Sequence, residues 1–119
     1  MTLFRFLLVA VIVAVTAYTI PVLANHGLTL YGVFFGDMSE MAWPGQFNFD
    51  FLMFLFFSAG WMAWRNEFSP TGWLLAVGAV LLGAPYLALY LLIMSYRVNG
   101  DVAALLLGAS RAEKLRAGQ

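Results

Sequence analysis

The chain has 119 residues and a formal net charge of zero, from six basic and six acidic side chains. Hydrophobic residues make up 63% and charged residues 10%, against about 25% charged in a soluble domain. A chain this short buries a low fraction of its surface, so lipid is the solvent these numbers imply. A charge-driven nucleic-acid binder is excluded. There is no Cys and one His, so neither a disulfide framework nor a zinc site has its ligands.

Phe6 to Ala24 is an uncharged apolar run of 19 residues. About 20 residues of helix cross a bilayer core, so the reading is a first transmembrane helix over about 5–24. A rival reading of the same stretch is a cleaved signal, with "VLA" ending at Ala24 as the cleavage site. Next, Leu28, Tyr31, Phe34, Phe35, Met38 and Met41 recur at near-helical spacing. That segment is too short to span. It predicts an amphipathic interfacial helix over about 29–41.

The second span is "WPGQFNFDFLMFLFFSAGWMAWR", about 44–65. It reaches bilayer length only if Pro44 stands near its start, which draws Asp50 into the span. "RNEFSPTG" is a short polar link, with Trp61, Trp64 and Trp73 around it as an aromatic belt. The third span is expected over about 72–96 as one helix antiparallel to the second. This carries Arg97 back to the membrane face of Asp50. A short amphipathic helix capped by Asp101 follows in a tail over 98–119. The whole, 1–119, reads as one all-α membrane domain of three spanning helices.

"HGL" after the first helix, "LYGVFF", "WPGQFNFDF", "WMAWR" and "LLGAPYLALYLL" together resemble a family of small bacterial integral membrane proteins of unknown function, with plant relatives. The resemblance covers roughly residues 26–92. It implies three helices, a place in the bacterial cytoplasmic membrane and the N-terminus inside. It implies no reaction. Basic residues count the other way on this topology, two inside against four outside.

Asp50 is the sharpest candidate site residue. Gln46 lies four residues before it on the same helical face; Asn48 lies between them. An ionisable group within a span usually faces protein or a water-filled cavity. The expectation is an inward polar pocket that binds a cation, a proton or a partner's Arg. The competing reading is that Asp50 sets helix depth near a positive helix end. His26 and Arg97 fall at the same face and are candidate partners for Asp50. Tyr86 and Tyr90 share a face of the third helix. They would line a lipophilic pocket beside Pro85, or bond neighbouring backbone. Ser58, Gly60, Ala63, Ala79 and Gly83 are small and suit close helix packing. No catalytic set, metal site or cofactor motif is visible. The function expected is a non-enzymatic accessory subunit in the lipid bilayer, associating with another membrane protein or with itself. The alternative is a binder of a small lipophilic molecule, or a proton or ion handler.

Overall fold

The computed structural model describes residues 1–118. Among them are seven helices and no strand: α1 (Thr2–His26), α2 (Leu30–Ser39), α3 (Trp43–Arg65), α4 (Pro70–Leu82), α5 (Ala84–Arg97), α6 (Val102–Leu107) and α7 (Ala109–Ala117). Two of them, α1 and α3, are long and apolar enough to cross a membrane. Their bounds lie within three residues of those read from the sequence, and α2 falls inside its expected range.

The helix starts follow local chemistry. Pro44 occupies the first turn of α3, where a missing N–H costs nothing. Ser69 caps α4, its hydroxyl accepting from the Gly72 N–H at 3.1 Å. Asp101 caps α6 by accepting from the N–H groups of Ala103 and Ala104.

The third apolar run departs from expectation. It is not one helix over 72–96 but two, α4 and α5, broken at Gly83 (φ 72°, ψ −147°). That backbone region is nearly closed to residues with a Cβ. Pro85 follows at the start of α5, where it cannot donate into a continuing helix. The break reverses the chain. In one straight helix Tyr90 would stand about 30 Å beyond Pro70, at ~1.5 Å per residue. Instead its hydroxyl accepts from Asn66 Nδ2 at 3.0 Å, beside the start of α4. The Tyr86 hydroxyl likewise reaches back to the Leu75 carbonyl at 2.9 Å. So α4 and α5 form a helical hairpin. Gly78 makes room for it, since a Cβ there would sit 2.6 Å from the Tyr86 hydroxyl.

Antiparallel α3 and α4 share a core of Ala59, Met62, Ala63, Ala76 and Ala79, which Tyr90 of α5 completes. The small side chains let the two backbones approach closely. Ala63 and Ala79 thus serve the packing expected of them, and Ser58 is half-buried. Gly60 does not: it is exposed, and a Cβ there meets nothing within 4 Å. Gly83 and Pro85 build the turn rather than a packing face.

α1 runs antiparallel to α5 and is fastened at one end. Arg5 Nε donates to Ser95 Oγ at 3.0 Å, Arg5 Nη2 donates to the Ser95 carbonyl at 2.9 Å, and the guanidinium lies 3.8 Å over the Tyr96 ring. Because α5 is 14 residues long and α1 is 25, the far half of α1 outruns it. Every residue from Val13 to His26 is exposed.

The tail is two helices, α6 and α7, rather than one. Gly108 breaks them at φ 87°.

Candidate functional site

The hairpin sorts the charges. Arg5 is held at the end of α5, near Arg97. Arg65 and Arg111 meet where α3 ends against α6, and Lys114 and Arg116 continue along α7. All six basic residues therefore lie at one end of the molecule. Asp37, Glu40 and Asp50 lie at the other, with no Lys or Arg among them.

At the acidic end α2 crosses the first turn of α3. Gly45 is buried in the crossing, and a Cβ there would collide with the Asp37 carbonyl and stand 2.7 Å from Met38 Cα. Asn48 holds the contact: its Nδ2 donates to the Phe34 carbonyl at 3.1 Å and to Asp37 Oδ2 at 3.4 Å. Tyr31 of α2 donates to the Leu81 carbonyl at 3.2 Å, satisfying backbone beside the hairpin turn. Asn48 is thus a structural clamp.

Gln46 lines an open groove of about 440 Å³ with Met38, Met41, Ala42, Gly45 and Phe49. Asp50 is not part of it. Asp50 is exposed and makes no side-chain hydrogen bond or ion pair among the described residues. Among the described residues Gln46 and Asp50 do not share an inward pocket: Gln46 lines the groove and Asp50 is exposed outside it. The reason is phase. The face of α3 that packs on α4 carries Leu55, Ala59 and Met62, and Asp50 lies well round the helix from it.

The partners expected for Asp50 are also elsewhere. His26 ends α1, exposed, and neither bonds nor pairs with Asp50. Arg97 ends α5 at the opposite end of the molecule, because the hairpin turned the chain round. Among the described residues no cluster of three or more His, Asp or Glu could hold a metal.

A second polar centre, which the sequence reading missed, lies at the basic end. Arg65 is 9% exposed. Its Nε donates to the Leu105 carbonyl at 2.6 Å, Nη2 to the Ala104 carbonyl at 3.1 Å and Nη1 to the Tyr90 hydroxyl at 3.1 Å. Trp61 Nε1 donates to the Leu106 carbonyl at 3.1 Å, and Arg111 Nη1 to that of Leu107 at 3.3 Å. The last four carbonyls of a helix have no partner within it. Here each of those four on α6 accepts from a side chain, and the cations meet the negative end of the helix dipole. On α7, Arg116 pairs with Asp101. That hydrogen bond, aided by the Ala104 and Ala103 amides, holds the Asp101 carboxyl below the usual carboxylate range.

Tyr86 and Tyr90 turn their hydroxyls to neighbouring groups of the fold. Their hydroxyls are engaged by Leu75, Arg65 and Asn66, which is the backbone-and-neighbour alternative. Among the described residues no buried side-chain nitrogen or oxygen lacks a partner. What the chain leaves unmatched is on its outside. No protein-family model, curated protein or solved structure matches the chain.

Proposed function

We propose that this chain is a small integral membrane protein that acts as a non-enzymatic accessory subunit. In this reading α1 and α3 span the bilayer, and α2 lies along the acidic surface. The α4–α5 hairpin enters and leaves from the basic side without crossing. Its helices are about 20 Å long at ~1.5 Å per residue, short of a hydrocarbon core of about 30 Å. Backbone that turns at membrane depth is tolerated where protein covers it, and the Tyr31 bond to Leu81 does part of that. The arrangement replaces the three-span reading. It also removes the conflict in the basic-residue count, because all six Lys and Arg then fall on one side, the cytoplasmic one. The N-terminus is inside, as the family resemblance implies, in a bacterial cytoplasmic membrane.

The observation that carries the reading is a contrast. Among the described residues every buried side-chain nitrogen and oxygen is matched, while the half of α1 beyond Val13 and the Phe-rich face of α3 are bare. Interior chemistry is already used; surface is not. A second reading, a binder of a small lipophilic molecule, rests on the groove beside Gln46, whose volume of about 440 Å³ suits such a ligand.

Because the chain has no Cys, single Cys residues at Ser39, Ser69 and Ser110 test the topology by impermeant thiol labelling of intact cells. Ser39→Cys should label from outside, and Ser69→Cys and Ser110→Cys only after permeabilisation. Outside labelling of Ser110→Cys would mean that the third segment crosses. Outside labelling at all three would refute membrane insertion.

A further inference from the structure

Asp50 stands seven residues after Trp43, the first residue of α3, so it lies about 10 Å along the helix at ~1.5 Å per residue. Phe47, Phe54 and Phe57, at spacings of three, four and seven, share its face and are 65%, 65% and 77% exposed. The carboxylate therefore sits in an uncovered aromatic stripe. It is two turns in, beyond the first turn where a helix dipole helps an anion. Its side chain is too short to reach the surface as Lys and Arg do. On the membrane reading above, on which this rests, lipid alone is a costly neighbour for it.

Among the described residues no side chain pairs with it. Arg65 is the sole basic residue on α3, 15 residues away, or about 22 Å along the axis. Its guanidinium is also filled by Leu105, Ala104 and Tyr90. A second copy does not help. With every Lys and Arg at one end, copies insert in the same orientation and bring no Lys or Arg to this depth. Two Asp50 faces would meet as like charges.

The geometry points to a partner of another kind: the Asp50 face of α3 docks a transmembrane helix of a different protein, carrying an Arg or Lys about 10 Å below the acidic-side surface. The aromatic stripe supplies contact area, and the buried ion pair supplies register and partner choice.

The test uses the full chain, labelled through Ser39→Cys, in phosphatidylcholine vesicles with synthetic Leu-rich transmembrane peptides. One peptide carries a single Arg at the matching depth, one the same Arg at the opposite depth, and one none. Energy transfer should show the matched peptide binding at least tenfold more tightly than the others. Asp50→Asn should erase that preference, and Asp50→Arg should move it to a peptide with Asp at that depth. Equal binding of all three peptides overturns the proposal. So does a preference that survives Asp50→Asn, or transfer between copies of the chain that depends on Asp50. Thiol labelling at Ser39, Ser69 and Ser110 runs alongside. If that pattern fails, the membrane topology is wrong; if it holds and the peptides are not distinguished, the docking face alone is wrong.

Discussion

Replacing Arg65 by Met keeps the apolar stem and removes three hydrogen bonds at once: to the Leu105 carbonyl, the Ala104 carbonyl and the Tyr90 hydroxyl. Summing three charge-assisted bonds at ~1.5–3 kcal/mol each would overcount the loss. The Ala104 carbonyl keeps the Gly108 N–H at 3.0 Å, and the Tyr90 hydroxyl keeps Asn66. Only the Leu105 carbonyl is stranded. The expected cost to the docking of α6 is therefore about 2–4 kcal/mol. At ~1.4 kcal/mol per tenfold, that is about 30- to 700-fold faster opening. Hydrogen exchange of the Leu105 and Gly108 amides in detergent micelles reads it directly, since these amides bond to Asp101 and Ala104 within α6. Arg65→Lys should fall between, because an ammonium cannot reproduce a planar fork reaching three acceptors. Unchanged exchange in Arg65→Met, or Arg65→Lys indistinguishable from the parent, would refute the capping argument.

Gly45→Ala should destabilise the chain by about 1–3 kcal/mol, the usual cost of overpacking against atoms that cannot yield, because the obstruction is α2 backbone. Gly60→Ala, with open space at its Cβ, should be neutral or gain up to about 1 kcal/mol in helix propensity; equal thermal shifts for the two would contradict the crossing. The Asp101 carboxyl, depressed by Arg116, contributes stability that is complete above its unfolded pKa and is lost as pH falls through its lower folded value. Protection of the Ala103 and Ala104 amides, relative to unstructured amides at the same pH, should thus hold through the mildly acidic range and fall only below about pH 4. Loss of protection already near pH 6 would be the wrong sign of shift.

The legible parts of this fold were those fixed by length and periodicity. The long runs of α1 and α3, the amphipathic α2 and the Asp101 cap all sit where their residues put them. The hairpin was hidden because hydropathy counts apolar residues without a direction. Ala76 through Tyr90 is equally apolar whether the chain continues or turns back. Gly83 and Pro85 were visible, but they fit a kink as well as a reversal. The partners of Tyr86 and Tyr90, back at Leu75 and Asn66, decide between the two. Arg65 resembled an ordinary flanking cation, since its acceptors lie 39 and 40 residues further on. The one available signal was the Asp101 cap, which announced a helix whose other end would need donors. The outward facing of Asp50 was not legible, because helical spacing gives a shared face and not the neighbour it meets.

The capping of α6 also sets an order of events. Trp61 and Arg65 leave the ribosome well before residues 104–106, whose carbonyls they hold. Tyr90, the third acceptor of Arg65, arrives in between. During synthesis the end of α3 first meets water and headgroups, next the returning hairpin, and last the tail. The contacts of α6 with the end of α3 thus close only after the hairpin residue Tyr90 has been made.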